Sequence, residues 1–380
     1  MARGVDVYGH FGSWLSYATI AHNVCHALHD ASALGPNVEN LDDRNVGSMQ
    51  TRRWHKLGRK VLLLSDPREY LVDMLCSRYG AENVGLFVCP NTDQLSADRA
   101  DMCGKVGRVY TPSRWCATTI LRQVPSAHVE VLPLGVDPTL VERAYRPLPP
   151  QTYGSHRILH MTSDTFWPGR KGTEALILAL GAMRRDGYLL ADGGICVTIH
   201  CLPQLYGSVY RLLGEEGLLD VVQLVQGQER GYDEGRYFAD LFDKHDVLLA
   251  PSRSEGFGVL PLSALVYGMP VMTTAGTGQD QYLSEMSTTM VRDREVAVPN
   301  LNGWIQVPTR NAEPLAGEDG NAPVVYPREL EMTIDCWLHL KETLTKRAMM
   351  NRTCAQSWSW TARAQQWAEA LSYWEASTEE

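Results

Sequence analysis

Residues 246–271 constrain the fold of this 380-residue chain more than any other segment. A short apolar run, Asp246-Val-Leu-Leu-Ala250, leads into Pro251-Ser252-Arg253-Ser254-Glu255-Gly256-Phe257-Gly258. A helical pattern follows and stops at Gly268-Met269-Pro270. The order is that of a buried strand, a turn with little side-chain bulk, and a helix start. The first amides of a helix have no intrahelical partner, and the helix dipole is positive at that end. Such a terminus suits an anion. Glu255 beside it can accept hydrogen bonds from hydroxyls. A phosphate and a polyhydroxylated group held in one place describe an activated sugar.

The same rhythm runs along the whole chain. Short apolar runs alternate with helical patterns, which predicts an α/β protein with parallel sheets. Strands are expected at Val5–Tyr8, Lys60–Leu64, Val84–Val88, Arg108–Thr111 and Val129–Leu132 in the first half. In the second half they fall at Arg157–Met161, Gly194–His200, Val221–Val225, Asp246–Ala250, Pro270–Thr273 and Trp304–Val307. The stretch 145–154 carries three prolines, a stiff connector and a plausible boundary between domains. The expected division is 1–146, 147–345, and a C-terminal helical piece, 346–380. Residues 310–327, rich in Gly, Pro, Asn and acids, read as a surface loop.

The 251–271 segment resembles the donor-binding signature of retaining glycosyltransferases of the GT-B fold, family 4 in particular. The match rests on Pro251, Ser252, Glu255, Gly256, Phe257, Gly258, Ala264, Gly268, Pro270 and Val271. One position departs: the family's second glutamate is Ser263 here, and a serine bonds a hydroxyl without charge. Tyr110-Thr-Pro-Ser-Arg-Trp115 and Pro133-Leu-Gly-Val-Asp137 resemble the end of the family's first domain. Trp358–Trp367 resembles its final helix. The resemblance implies two Rossmann-like domains facing across a cleft.

It also implies roles for residues. Arg170 and Lys171 would neutralise the leaving diphosphate, although an Arg-Lys pair elsewhere is usually a solvated surface charge. Glu255 would bond a donor-sugar hydroxyl, with the amides of Gly256, Phe257 and Gly258 facing sugar and phosphate. Gly9 and Gly12, in Tyr8-Gly-His-Phe-Gly12, would let the backbone approach the donor, or merely turn the chain. His10 could face the cleft. Gln226 falls where the base is usually touched, and Ser263 near the ribose. Asn91 and Asp93 are acceptor-side candidates. Arg52, Arg53 and Trp54 belong to the densest basic cluster, either a solvated face or a patch for a nucleic-acid backbone with Trp54 stacking on a base.

The expected activity is sugar transfer from a nucleotide-diphosphate sugar to an acceptor hydroxyl with retention. No tightly bound cofactor and no metal are expected. Two alternatives stay open: a DNA glycosyltransferase of phage type acting on hydroxymethylated pyrimidines, and a sugar-nucleotide epimerase or inactive sugar-binding relative on the same fold. The net charge of −9 gives no overall attraction to nucleic acid. Nine scattered cysteines without a Cys-x-x-Cys spacing suggest reduced thiols in the cytoplasm. No apolar stretch approaches the roughly 20 residues that span a bilayer.

Overall fold

The computed structural model describes residues 5–9, 20–25, 37–40, 60–143, 145, 156–162, 169–187, 194–227, 234–283, 303–315, 319–350 and 356–376. The chain forms two compact units. The first comprises Met1–Pro90, Gln94–Gly135 and Ser359–Glu380, and the second comprises Asn91–Asp93 and Val136–Trp358. The units part between Gly135 and Val136, ahead of the proline-rich stretch.

The first unit is built on six parallel strands: β1 (Val5–Gly9), β2 (Asn37–Asn40), β3 (Lys60–Leu64), β4 (Val84–Phe87), β5 (Arg108–Thr111) and β6 (Val129–Val131). Their order is β2-β1-β3-β4-β5-β6. Every residue of β1, β3 and β4 is buried, as expected of parallel strands covered on both faces. β2, with the polar sequence Asn-Val-Glu-Asn, carries no apolar run and escapes sequence reading. The C-terminal helix Trp360–Ala376 belongs to this unit. Its Trp367 packs on Phe87 at 5.8 Å between ring centroids, and its Trp374 meets Tyr110 edge-on at 6.1 Å. Gly85 leaves room for the Trp374 ring, since a Cβ there would stand only 3.0 Å from it.

The second unit has its own six parallel strands: β7 (His156–Thr162), β8 (Ile195–Cys201), β9 (Val222–Gln226), β10 (Val247–Ala250), β11 (Val271–Thr273) and β12 (Trp304–Gln306). Their order is β12-β11-β10-β7-β8-β9. Ile158, Val197, Ile199, Val247 and Leu249 from the sheet pack with Leu176, Ile177 and Leu180 of the helix Thr173–Arg185. Trp337 of the long helix Pro327–Met350 is fully buried in the same core.

The expected surface loop at 310–327 is instead an antiparallel hairpin, β13 (Arg310–Pro314) with β14 (Asn321–Val324), and helix begins at Pro327. β13 is exposed throughout, so no apolar alternation betrays it. Among the described residues no helix is long and apolar enough to cross a membrane.

Candidate functional site

In an open parallel sheet, ligands bind beyond the carboxyl ends of the strands where the strand order reverses. In the second unit that place lies between β7 and β10, which are neighbours at the centre of the sheet. The loop after β7 delivers Arg170 and Lys171, and the loop after β10 delivers residues 251–258. The glycine-rich turn and the Arg-Lys pair therefore meet, although some 85 residues separate them in the chain.

They meet through Glu255. This side chain is only 9% exposed. Lys171 Nζ donates to its Oε1 at 2.5 Å and Arg170 Nη1 donates to its Oε2 at 2.8 Å. The Ser252 hydroxyl also donates to Oε1, at 2.8 Å. Burial alone pushes the carboxyl's pKa up, but the Lys171 and Arg170 charges and the hydrogen bonds outweigh it and hold it at about 2. Glu255 is thus an anion throughout the physiological range. Two cations thus share one carboxylate. Three of the carboxylate's roughly four acceptor positions are filled, so its main structural effect is to orient the two cations.

Three loops lock around this cluster. Gly172 caps the helix Thr173–Arg185 in the left-handed region at φ 72°, and a Cβ there would lie 2.2 Å from the Pro251 carbonyl oxygen. Gly258 caps the helix Val259–Tyr267 at φ 80°. The loop after β11 closes the third side. Its Gly278 N–H donates to the Glu255 carbonyl at 2.8 Å, and the Glu255 N–H donates to the Thr277 hydroxyl at 3.3 Å. The Thr274 hydroxyl donates to the Ser252 carbonyl, and the fully buried Gln279 donates to the Thr273 hydroxyl at 2.8 Å. The Gly-rich run 274–281 is therefore a scaffold beneath the site. Only the long-range contacts reveal its use.

His160 belongs to the same scaffold. It is buried, with Nδ1 3.0 Å from the Leu249 carbonyl and Nε2 2.9 Å from the Thr173 hydroxyl. It so ties β7 to β10 and to the helix that follows Lys171. Burial lowers its pKa to about 4, and it stays neutral.

The other expected site residues are distributed as follows. The Phe257 side chain faces away from solvent, against Tyr282 at 5.6 Å and Trp358 at 6.1 Å, while the Tyr282 hydroxyl donates to the Gly258 carbonyl. Phe257 therefore anchors the turn. Gly256 lies against Gly278, where a Cβ on the latter would come within 1.9 Å of the Gly256 carbonyl oxygen. Ser263 is 2% exposed, within the helix Val259–Tyr267. Gln226 ends β9 with its side chain exposed. Gly9 ends β1, beside β3, at the point where the first sheet's strand order reverses.

Asn91 and Asp93 belong to the second unit. Asp93 accepts from the Asn321 N–H at 2.7 Å and donates its own N–H to the Asn321 carbonyl, so it holds the hairpin. His10, Gly12, Arg52, Arg53 and Trp54 lie outside the described residues.

Residues 214–366 match the family described as "Family 4 Glycosyltransferase in conflict systems". No curated protein matches the sequence. Among solved structures, the chain is similar to sucrose-phosphate synthase from Thermosynechococcus elongatus, with a TM-score of 0.62 and 14% identity over 99% of this chain and all of that one. It is similar to WaaG, a glycosyltransferase involved in lipopolysaccharide biosynthesis, with a TM-score of 0.59 and 15% identity over 97% and 99% of the two chains. It also resembles the pneumococcal O-GlcNAc transferase GtfA, solved with UDP and GlcNAc, with a TM-score of 0.54 and 13% identity over 86% of this chain and 59% of that one. At these identities the likeness is one of fold. Together with the family match over the second half, it bears out the architecture and the family likeness read from residues 251–271.

Proposed function

We propose that this chain, a GT4-like glycosyltransferase of the GT-B fold, moves a sugar from a nucleotide-diphosphate donor to an acceptor hydroxyl with retention at the anomeric carbon. One observation carries the reading. Arg170 and Lys171 are held side by side on Glu255, at the switch point of the second sheet and beside the N-terminus of a buried helix. Fixed cations and helix amides aimed at one place stabilise charge as it develops on a leaving diphosphate.

In the proposed step the bond between the sugar's C1 and the β-phosphate oxygen breaks. The acceptor oxygen bonds C1 from the same face, and its proton passes to the departing phosphate. A glycosylated acceptor and a nucleoside diphosphate result, with no covalent enzyme intermediate. Arg170 and Lys171 take up the charge of the leaving group. Glu255 keeps them in place, and its remaining acceptor position can receive a sugar hydroxyl. The scheme requires nothing besides donor and acceptor. We place the reaction in the cytoplasm, on the scattered cysteines; the eight that are described are all free.

The test is a panel of nucleotide sugars screened for thermal stabilisation of the protein. Transfer assays follow, with saccharide, lipid and hydroxymethylpyrimidine-DNA acceptors. At least one donor should stabilise the wild type and be turned over with retention, and Lys171→Ala should lose most of both effects. Turnover that survives Lys171→Ala unchanged, or an inverted product, would reject the scheme.

A further inference from the structure

Arg253 stands between Pro-Ser and Glu-Gly of the site loop, and the proposed chemistry gives it no part. We infer that Arg253 is a positioning residue for the transfer reaction, clasping the hairpin β13–β14 and thereby fixing the loop on which Arg170 and Glu255 are aligned. The inference rests on the reading of the site given above.

The clasp is specific. Arg253 Nε donates to the Pro323 carbonyl at 3.1 Å, and Nη2 donates to the carbonyls of Glu313 at 3.2 Å and Ala322 at 3.3 Å. Glu313 and Ala322 are cross-strand partners, so one guanidinium bridges both strands of the hairpin. A planar fork with five donors can do this, whereas an ammonium on a flexible stem cannot reproduce the geometry.

The hairpin is a firm anchor. Arg310 pairs with the buried Glu329 and lies 5.3 Å over the Tyr326 ring, and Asn321 is joined to Asp93 by two hydrogen bonds.

The other side of Arg253 faces the site. Its N–H donates to the Arg170 carbonyl at 2.6 Å. The next carbonyl, that of Ser254, accepts from Arg170 Nη1 at 3.2 Å, and the preceding side chain, Ser252, holds Glu255. Backbone 252–254 is therefore the piece against which Arg170 and Glu255 both rest. With the clasp removed, that backbone has lost its tie to the hairpin. Small misplacements of catalytic groups carry large rate losses, about 100-fold for 1 Å.

The test is a double-mutant cycle on the full chain. It uses the best donor from a panel of UDP-, GDP- and ADP-sugars and reads kcat and KM for transfer or donor hydrolysis. Arg253→Ala should lower kcat about 10- to 100-fold, with the donor KM changing only about threefold, because its Nε and Nη2 are engaged on the hairpin carbonyls. Arg253→Lys should recover only part of the loss. Since the effect acts through Arg170, Arg253→Ala should cost little more in an Arg170→Ala background. If Arg253→Ala does not fold, Arg253→Lys serves in the cycle. A normal kcat, full rescue by lysine, or the same fold-loss in the Arg170→Ala background would overturn the inference. A wild type that neither binds nor turns over any donor would instead reject the proposed function, and this inference with it; that outcome is seen before any variant is made.

Discussion

Replacing Glu255 by glutamine tests the centre of the site most sharply. The substitution keeps size and shape and removes one charge. In the wild type the carboxylate meets Lys171 and Arg170, whose side chains are only 15% and 19% exposed. Without it, both cations lose a charged partner in a partly dry pocket. Removing one partner of a buried pair costs about 3–5 kcal/mol, mostly because the remaining charge is left uncompensated. For a unit of the size of Val136–Trp358, that lowers the melting temperature by roughly 6–20 °C. The transfer rate should fall by about 100-fold or more, as when an electrostatic contact to the transition state is lost. A nucleoside diphosphate brings in the missing negative charge. Saturating UDP, GDP or ADP should therefore raise the melting point of Glu255→Gln by more than that of the wild type. Thermal unfolding with and without these nucleotides, followed by a transfer assay, reads all three effects. An unchanged melting temperature would mean that Arg170 and Lys171 are ordinary solvated cations, and the account of the cluster would fail.

Two further predictions concern the scaffold. His160 titrates near 6.5 when unfolded and at about 4 when buried, so between those values the unfolded chain takes up a proton that the folded one refuses. Stability should fall as pH drops through this window, by up to roughly 3 kcal/mol from this group. Denaturant unfolding at pH 7 and pH 5 should show a smaller loss for His160→Gln than for the wild type; equal losses would reject the assignment. The Glu255 contribution has the depressed-carboxylate sign. It is present above its ordinary 4.5 and lost as pH falls toward 2, below the histidine window. Gly278→Ala would place a Cβ 1.9 Å from the Gly256 carbonyl oxygen, which is backbone and cannot swing aside. It should destabilise by about 1–3 kcal/mol or more and weaken donor binding, as measured by melting and nucleotide titration.

The sheets were legible because parallel strands are buried on both faces and read as plain apolar runs. Lys60–Leu64 and Arg108–Thr111 fall where the sequence puts them. The helix Thr173–Arg185 is marked by the glycine before it and by its apolar spacing. The turn at Glu255 was legible because glycine there has a local, geometric reason. β2 and the hairpin were not legible. β2 is mostly polar, β13 is exposed, and both hairpin strands carry a proline, so neither a two-residue alternation nor a run survives. The partnership of Glu255 with Arg170 and Lys171, and the support from Thr277, Gln279 and Arg253, arise from contacts between distant segments. No local pattern encodes them.

Val136 and Trp358 mark the limits of the second unit's long segment, and the Val136 N–H donates to the Trp358 carbonyl at 2.8 Å. A piece of chain that starts and finishes at one hydrogen bond behaves as an insertion cassette. Its two ends need no long tether to be joined, and trimming the chain at those points severs few contacts of the piece itself. The unit that carries Glu255, Arg170 and Lys171 is thereby a natural candidate for transplantation or circular permutation. Only the three residues Asn91–Asp93, which brace the hairpin, would need to be supplied from elsewhere.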